Sequence, residues 1–286
     1  MVNKRSLEQP NGSKKKKFKL SSGFLDPSTS GVYATCARKH EKQAAQELGL
    51  LFEEKVEEMY GDQLENADEK TEIENQESCD SKQKLSIEEE INRELSELQD
   101  KNKSKNESKN NKKEVLQFIH LDCECVIFCK TRKPVIPEQF VHSLIENLAD
   151  PANMEKRTRY IQKLTPITSS CSASMDQLIK LAERVLAPHF HGENGSKHYK
   201  FAVEVTRRNF NTFERLDIIK QVVAQVIQNG KYNHEVNLKD YDKLILIECF
   251  KNNIGMSVVD GDYSKSYKKY NVQQIYEAKM KEHAKK

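Results

Sequence analysis

The sequence predicts an α/β (α+β) protein of two small layered units, the first interrupted by a long acidic insertion. Three observations lead there. Short apolar or alternating runs, which read as strands, take turns with helical repeats of apolar residues. From Gly61 to Gln117 there is no aromatic residue, and Glu, Asn, Ser and Lys dominate. Strand-like sequence resumes after that block, which places the insertion inside a unit and not between two. The 286 residues fit two modest domains. With 32% charged against 36% hydrophobic residues and no Trp, part of the chain cannot offset its ordering entropy by burial.

The elements follow in order. Residues 1–30 read as a disordered basic tail. Its Lys14-Lys15-Lys16-Lys17-Phe18-Lys19 run suits a nuclear address or a loose nucleic-acid contact, against the plainer reading of a solvated charge run. A first unit spans residues 31–173. It opens with the strand Gly31–Cys36, and Arg38, Lys39 and His40 follow. A helix runs from about Glu41 to Tyr60, with Ala44, Ala45, Leu48, Leu51, Phe52 and Met59 on one face. Residues 61–114 are the disordered insertion, within which Ile87, Ile91, Leu95 and Leu98 recur at helical spacing. Cys123–Lys130 is the next strand, and Pro137–Leu148 the next helix. Arg157 and Arg159 stand just ahead of the extended Tyr160–Thr168. The whole is a β-α-β-β-α-β-like unit.

The second unit starts at Ser174, whose spacing to Gln177 is that of a capping box. Its helix is expected to stop at Pro188. The strand Phe201–Thr206 ends in Arg207, Arg208 and Asn209. A helix then runs from about Thr212 to Asn229, with Gly230 as its stop. Lys243–Phe250 and Gly255–Asp260 form a hairpin around Lys251, Asn252 and Asn253. Residues 261–286 read as a basic tail or frayed helix.

The mild net charge of +3 averages opposed blocks. Asp62–Asp100 holds 14 acidic and 4 basic residues, a net of −10. Met1–Lys19 nets +6, and Lys101–Lys113 nets +5. No stretch approaches the ~20 apolar residues of a membrane helix, and the first residues lack a signal-peptide core. The chain is therefore expected to be soluble and intracellular. Seven cysteines without paired spacing read as free thiols.

The chemistry-bearing feature is the strand that delivers Arg207 and Arg208 to a helix start. Fixed cations there meet backbone N–H groups and a helix dipole of the same sense, the ingredients of a phosphate site. The alternative is internal pairing of these arginines with Glu204 or Glu214. Arg38 and Lys39 repeat the arrangement in the first unit. Metal readings are poor. Cys123, Cys125 and Cys129 would share a strand face with no second ligand pair nearby, and His189 and His191 lack a third ligand. No metal site is expected.

Phe18-Lys-Leu-Ser-Ser-Gly-Phe-Leu-Asp-Pro27, Gly31-Val-Tyr-Ala-Thr-Cys36, Arg38-Lys-His-Glu41 and Phe201-Ala-Val-Glu-Val-Thr-Arg-Arg-Asn209 resemble the stand-alone THUMP proteins that assist tRNA cytidine acetylation, fungal members above all. The resemblance implies a THUMP domain over about residues 147–260, preceded by a ferredoxin-like unit that carries the insertion. It implies binding of tRNA, serine and leucine isoacceptors in particular; the chain is expected to be a monomer. The partner would be a separate RNA cytidine acetyltransferase that forms N4-acetylcytidine in the D-arm. It also implies the nucleus, and within it the nucleolus.

The residues agree with a binding role. Ten glycines include no Gly-x-Gly-x-x-Gly, and no His-x-Glu with Pro-Cys-x-x-Cys occurs. No catalytic residue and no cofactor is expected. The RNA-binding candidates are Arg207, Arg208, Asn209, Arg38, Lys39, Arg157, Arg159, Lys251, Asn252 and Asn253, with Ser169 and Ser170 as further hydrogen-bonding groups. The competing readings are an enzyme with an unrecognised site and a protein-interaction scaffold.

Overall fold

The computed structural model describes residues 21–22, 25–76, 115–192, 197–228 and 230–284. The lysine run at 14–19 and the Ile87–Leu98 repeat lie outside them.

Alternating apolar residues make the first sheet. β1 (Ser21–Ser22), β2 (Ser30–Cys36), β3 (Leu116–His120), β4 (Val126–Thr131) and β5 (Ile161–Ile167) line up in the order β1-β3-β4-β2-β5. β2 lies antiparallel between β4 and β5, and β3 lies antiparallel to β4. With α1 (Glu41–Gln76) and α2 (Pro137–Ala149), this is a ferredoxin-like β-α-β-β-α-β unit. β3 rejoins the sheet through β4, so the acidic segment is an insertion within this unit. The apolar face of α1 buries Ala44, Ala45, Leu48, Phe52 and Val56, and α2 buries Phe140, Val141, Leu144 and Ile145 against them. Phe52 and Phe140 meet edge-on with centroids 5.0 Å apart. Gly31 lets the sheet close, because a Cβ there would sit 2.3 Å from the Cys129 carbonyl oxygen.

The second sheet has β6 (Ser169–Ser172), β7 (Lys200–Arg208), β8 (Glu235–Val236), β9 (Lys243–Phe250) and β10 (Asn253–Asp260) in the order β6-β10-β9-β7-β8. β7 runs parallel to β8 and β9, while β10 is antiparallel to β9 and β6. α3 (Met175–Phe190) and α4 (Arg215–Ile227) cover one face, burying Leu178, Leu181, Val185, Ile218 and Val222 over Ile245, Ile247 and Cys249. The other face offers Leu244, Leu246 and Val259. It packs on a C-terminal segment made of α5 (Asp262–Lys265), a 3₁₀ turn (Lys268–Tyr270) and α6 (Val272–His283). Tyr263, Tyr270, Val272 and Ile275 belong to the same core as α1 and α2, so this segment joins the two units.

Several expectations are corrected. α1 does not end at Tyr60 but runs on to Gln76. The strand expected at Cys123–Lys130 begins only at Val126, because Asp122 and Cys125 adopt left-handed backbone (φ 49° and 63°) in a turn that follows β3. The second sheet begins at Ser169, before Ser174, with a strand that carries no apolar alternation. Ser174 is the N-cap of α3, yet its hydroxyl makes no capping bond, and Pro188 lies inside the last turn, which ends at Phe190. The helix after β7 starts at Arg215, not Thr212, after an irregular loop. Its end is as expected, with left-handed Gln228 (φ 45°) and Gly230 (φ 88°). Residues 261–284 are folded helices and not a tail. Of the basic N-terminal tail, Leu25–Thr29 is packed structure: the Ser28 N–H donates to Ser170 O at 2.8 Å and the Thr29 N–H to Ser170 Oγ at 3.1 Å.

Candidate nucleic-acid interface

One end of the second sheet gathers six of the ten sequence-predicted residues. Arg207, Arg208 and Asn209 close β7, and Lys251 and Asn252 form the tight β9–β10 turn, with Asn253 already in β10. The Lys251 N–H donates to Arg208 O at 3.2 Å, which fixes turn to strand. Asn209 (φ 51°) and Lys251 (φ 49°) are both left-handed, as an abrupt strand end and a two-residue turn require.

Adjacent strand residues point to opposite faces, and the two arginines part accordingly. Arg207 lies on the α4 side. Its Nη1 donates to Phe213 O at 2.9 Å and stands 3.5 Å from Glu214 Oε2, beside the start of α4. Arg208 lies on the opposite face and donates from Nη1 to Oε2 of Glu248, whose side chain is 4% exposed. Burial pushes the Glu248 carboxyl upward, and the Arg208 guanidinium opposes that. Arg208 is thus a structural cation, and the expectation of a phosphate-facing side chain is corrected for it. Pairing with Glu214, weighed from the sequence, holds for Arg207. Glu204 instead meets Lys163 (3.6 Å) and Lys269 (2.8 Å), and these cations hold its carboxyl below the usual range against the effect of burial.

Asn253 also turns inward. It is 5% exposed, and its Nδ2 donates to Leu25 O at 3.4 Å and Ser170 Oγ at 3.5 Å. Ser170 is buried in the same junction. Ser169 Oγ accepts from the exposed Arg184 Nη2 at 2.8 Å, but Ser169 pairs with Met256 halfway along β10, so both lie away from the Lys251 turn. Lys251 Nζ lies 5.3 Å from the Phe250 ring centroid, and Asn252 is exposed.

The other four candidates form a separate patch on the first unit, where β2 ends and β5 begins. The Ala37 N–H donates to Tyr160 O at 2.9 Å, tying the two segments. His40 stacks on Tyr160 at 4.3 Å and 14°, and the Arg159 guanidinium sits 5.4 Å from the same ring. Arg38 pairs with Glu124 at 3.0 Å, both side chains 69% exposed. Lys39 is exposed in a left-handed turn (φ 63°). Arg157 is committed elsewhere. Both its terminal nitrogens hold the Glu54 carboxylate, one at 2.9 Å, at the mouth of a polar cleft of about 200 Å³ between α1 and α2. The continuous β5–β6 run, Ile161 to Ser172, leads from this patch to the other end of the molecule, on the order of 35 Å of extended chain.

Cys123 and Cys125 lie in the turn and Cys129 in β4, so the three do not share a strand face. Among the described residues no group of three His, Cys, Asp or Glu side chains could hold a metal ion, and the six described cysteines are free thiols. No helix among them is long and apolar enough to cross a membrane.

Fold and cationic ends together define a THUMP-domain protein, and the THUMP domain family matches residues 172–259. The chain is 61% identical to the protein named tRNA acetyltransferase TAN1 of Saccharomyces cerevisiae, over 97% of its own length and 95% of the relative's. It belongs to that family. It is 32% identical to an uncharacterized protein of Schizosaccharomyces pombe (91% and 80% covered) and 25% identical to bovine THUMP domain-containing protein 1 (88% and 64% covered).

Proposed function

We propose that this chain is a tRNA-binding adaptor, which holds tRNA by its sugar-phosphate outline for a separate RNA cytidine acetyltransferase. The product is N4-acetylcytidine in the D-arm of serine and leucine tRNAs. The observation that carries the reading is the pair of cationic patches, one per unit, set on a frame that the C-terminal segment joins. A small α/β module reads A-form RNA by shape, phosphates and 2′-OH groups, and separated cations on a rigid body suit that task. Arg207 and Lys251 face phosphate in the second unit, with Asn209 and Asn252 beside them. Arg38, Lys39 and Arg159 do so in the first. The name of the yeast relative ties that protein to tRNA acetylation. The lysine run at 14–19 supports entry to the nucleus, which a reporter fused to residues 1–30 tests.

The same name favours a second reading, in which the chain itself transfers the acetyl group. One experiment separates them. The purified chain is titrated with tRNA at two salt concentrations, as wild type and as Arg207→Glu/Lys251→Glu. It is also incubated alone with tRNA and acetyl-CoA. The adaptor reading expects salt-sensitive binding that the double variant weakens, and no acetylcytidine. Acetylation by the chain alone would decide for the enzyme. Equal affinity and salt slope in the variant would remove the phosphate patch.

A further inference from the structure

We propose that the end of the second sheet opposite Arg207 and Lys251 is a second RNA-contact surface, which holds unpaired nucleotides by stacking their bases on tyrosine. It rests on the tRNA-binding reading above and adds to it a class of ligand and a place. Four rings form a stepped array there: His191 just after α3, Tyr232 and His234 ahead of β8, and Tyr199 ahead of β7. Neighbouring rings are near parallel. Their centroids lie 4.4 Å apart at 22° for His191 and Tyr232, 6.1 Å at 10° for Tyr232 and His234, and 5.8 Å at 30° for His234 and Tyr199. The histidines fix the array. His234 Nε2 donates to Phe190 O at 2.9 Å, and its Nδ1 accepts the Tyr199 N–H at 3.3 Å. His191 Nε2 donates to Val226 O at 3.2 Å, and its Nδ1 accepts from Gln228 Nε2 at 3.3 Å. With both nitrogens of each imidazole engaged, neither ring is free to turn, and the tyrosines beside them are held in place.

The charges select RNA as the occupant. Lys231 Nζ lies 5.2 Å from the Tyr232 ring centroid, and Lys197 Nζ 5.4 Å from that of Tyr199. Both lysines are exposed, both tyrosines are half-buried, and neither lysine has a carboxylate partner among the described residues. Acidic groups at this end are engaged elsewhere: Asp260 by Lys243 at 2.5 Å, Asp240 by Lys265 at 2.6 Å, and Asp242 by the Lys200 N–H at 2.9 Å. Glu235 stands 3.8 Å from His198. A ring covered only by a flexible lysine is open to a base, and the displaced ammonium turns to the phosphate beside it. Unpaired RNA offers its bases for stacking, whereas a duplex keeps them stacked on one another. The length of β7, roughly 26 Å at the rise of an extended strand, separates this surface from the Arg207 end, so one RNA engages the two with different parts.

The test is fluorescence anisotropy of a labelled single-stranded cytidine hexanucleotide and of a blunt RNA duplex, beside whole tRNA, titrated with the full chain. Wild type is compared with Tyr232→Ala, Tyr232→Phe, Lys197→Gln/Lys231→Gln and Arg207→Glu/Lys251→Glu. Tyr232→Ala is expected to weaken hexanucleotide binding about tenfold, the loss of one stacked base. Tyr232→Phe keeps the ring and is expected to bind as wild type does. The lysine pair is exposed, so its substitution leaves the fold alone and carries the test even if Tyr232→Ala fails to fold. It too is expected to weaken the hexanucleotide. Arg207→Glu/Lys251→Glu is expected to weaken the duplex and spare the hexanucleotide. A wild type that binds tRNA but not the hexanucleotide overturns this proposal and leaves the adaptor reading standing, whereas a wild type that binds no tRNA overturns that reading. Hexanucleotide affinity unchanged in the lysine pair and in a folded Tyr232→Ala also overturns the proposal.

Discussion

Arg208 extends from the last residue of β7 to grip the carboxylate of Glu248 on β9, forty positions along the chain. The pair lies on the face of the second sheet that looks toward the first unit, where Tyr33 of β2 is also buried. Two strands are thereby locked at the end that also presents Arg207 and Lys251. Arg208 supports the patch without contacting what the patch binds.

Breaking this pair from one side strands a buried charge. Arg208→Ala is therefore expected to cost about 3–5 kcal/mol, whereas replacing both partners with apolar residues of similar volume costs far less. Urea denaturation of Arg208→Ala, Glu248→Leu and the Arg208→Met/Glu248→Leu pair measures this. Equal losses in the singles and the pair would mean the ion pair does not govern the site.

The surface cations should behave differently. Arg207→Gln, Lys251→Gln and Lys39→Gln are each expected to weaken tRNA binding without regard to sequence and to lower the salt slope by about 1. Arg157→Gln is expected to leave both unchanged, because Arg157 is already clamped to Glu54. Filter binding across a salt series separates the two groups.

Why Arg157, Arg208 and Asn253 misled lies in what a linear chain displays. Spacing placed all three where β-ends deliver them, but burial is decided by partners far along the chain. One signal was present: Glu248 interrupts the apolar run Leu244–Phe250, and a charge there needs a buried partner. The ferredoxin-like unit was legible because its strands and helices carry strong periodicity. β6 was not, since Ser169-Ser-Cys-Ser has no apolar alternation and gains strand geometry only from β10. The C-terminal helices hide Tyr263, Tyr270, Val272 and Ile275 among lysines, and their apolar face appears only when both units are in place.

Glu138, in the first turn of α2, gives a pH test. Burial pushes its carboxyl upward, and the N–H at the helix start pulls the other way without prevailing. With the folded-state pKa above the unfolded one, the folded chain binds more protons in that interval. Its contribution to stability is complete below the ordinary carboxylate range and is lost as pH rises through the raised value. Glu138→Gln, which mimics the protonated acid, is expected to raise the melting temperature at pH 7 and to do little near pH 4. A variant that melts lower than wild type at pH 7 would overturn this account.

The C-terminal segment can be tested through a single ring. Tyr263 is fully buried between the sheets, 4.6 Å from Tyr270 in an edge-on contact, and its hydroxyl has no hydrogen-bond partner among the described residues. The ring contributes packing and the hydroxyl a desolvation cost, so two substitutions should move stability in opposite directions. Tyr263→Ala empties a site at the joint of both units and is expected to cost about 3–5 kcal/mol. Tyr263→Phe keeps the ring, removes the unsatisfied oxygen, and is expected to add about 1 kcal/mol. Urea denaturation reads both. Loss of stability in Tyr263→Phe would mean that the hydroxyl has a partner, and that the joint is held by a polar bond as well as by packing.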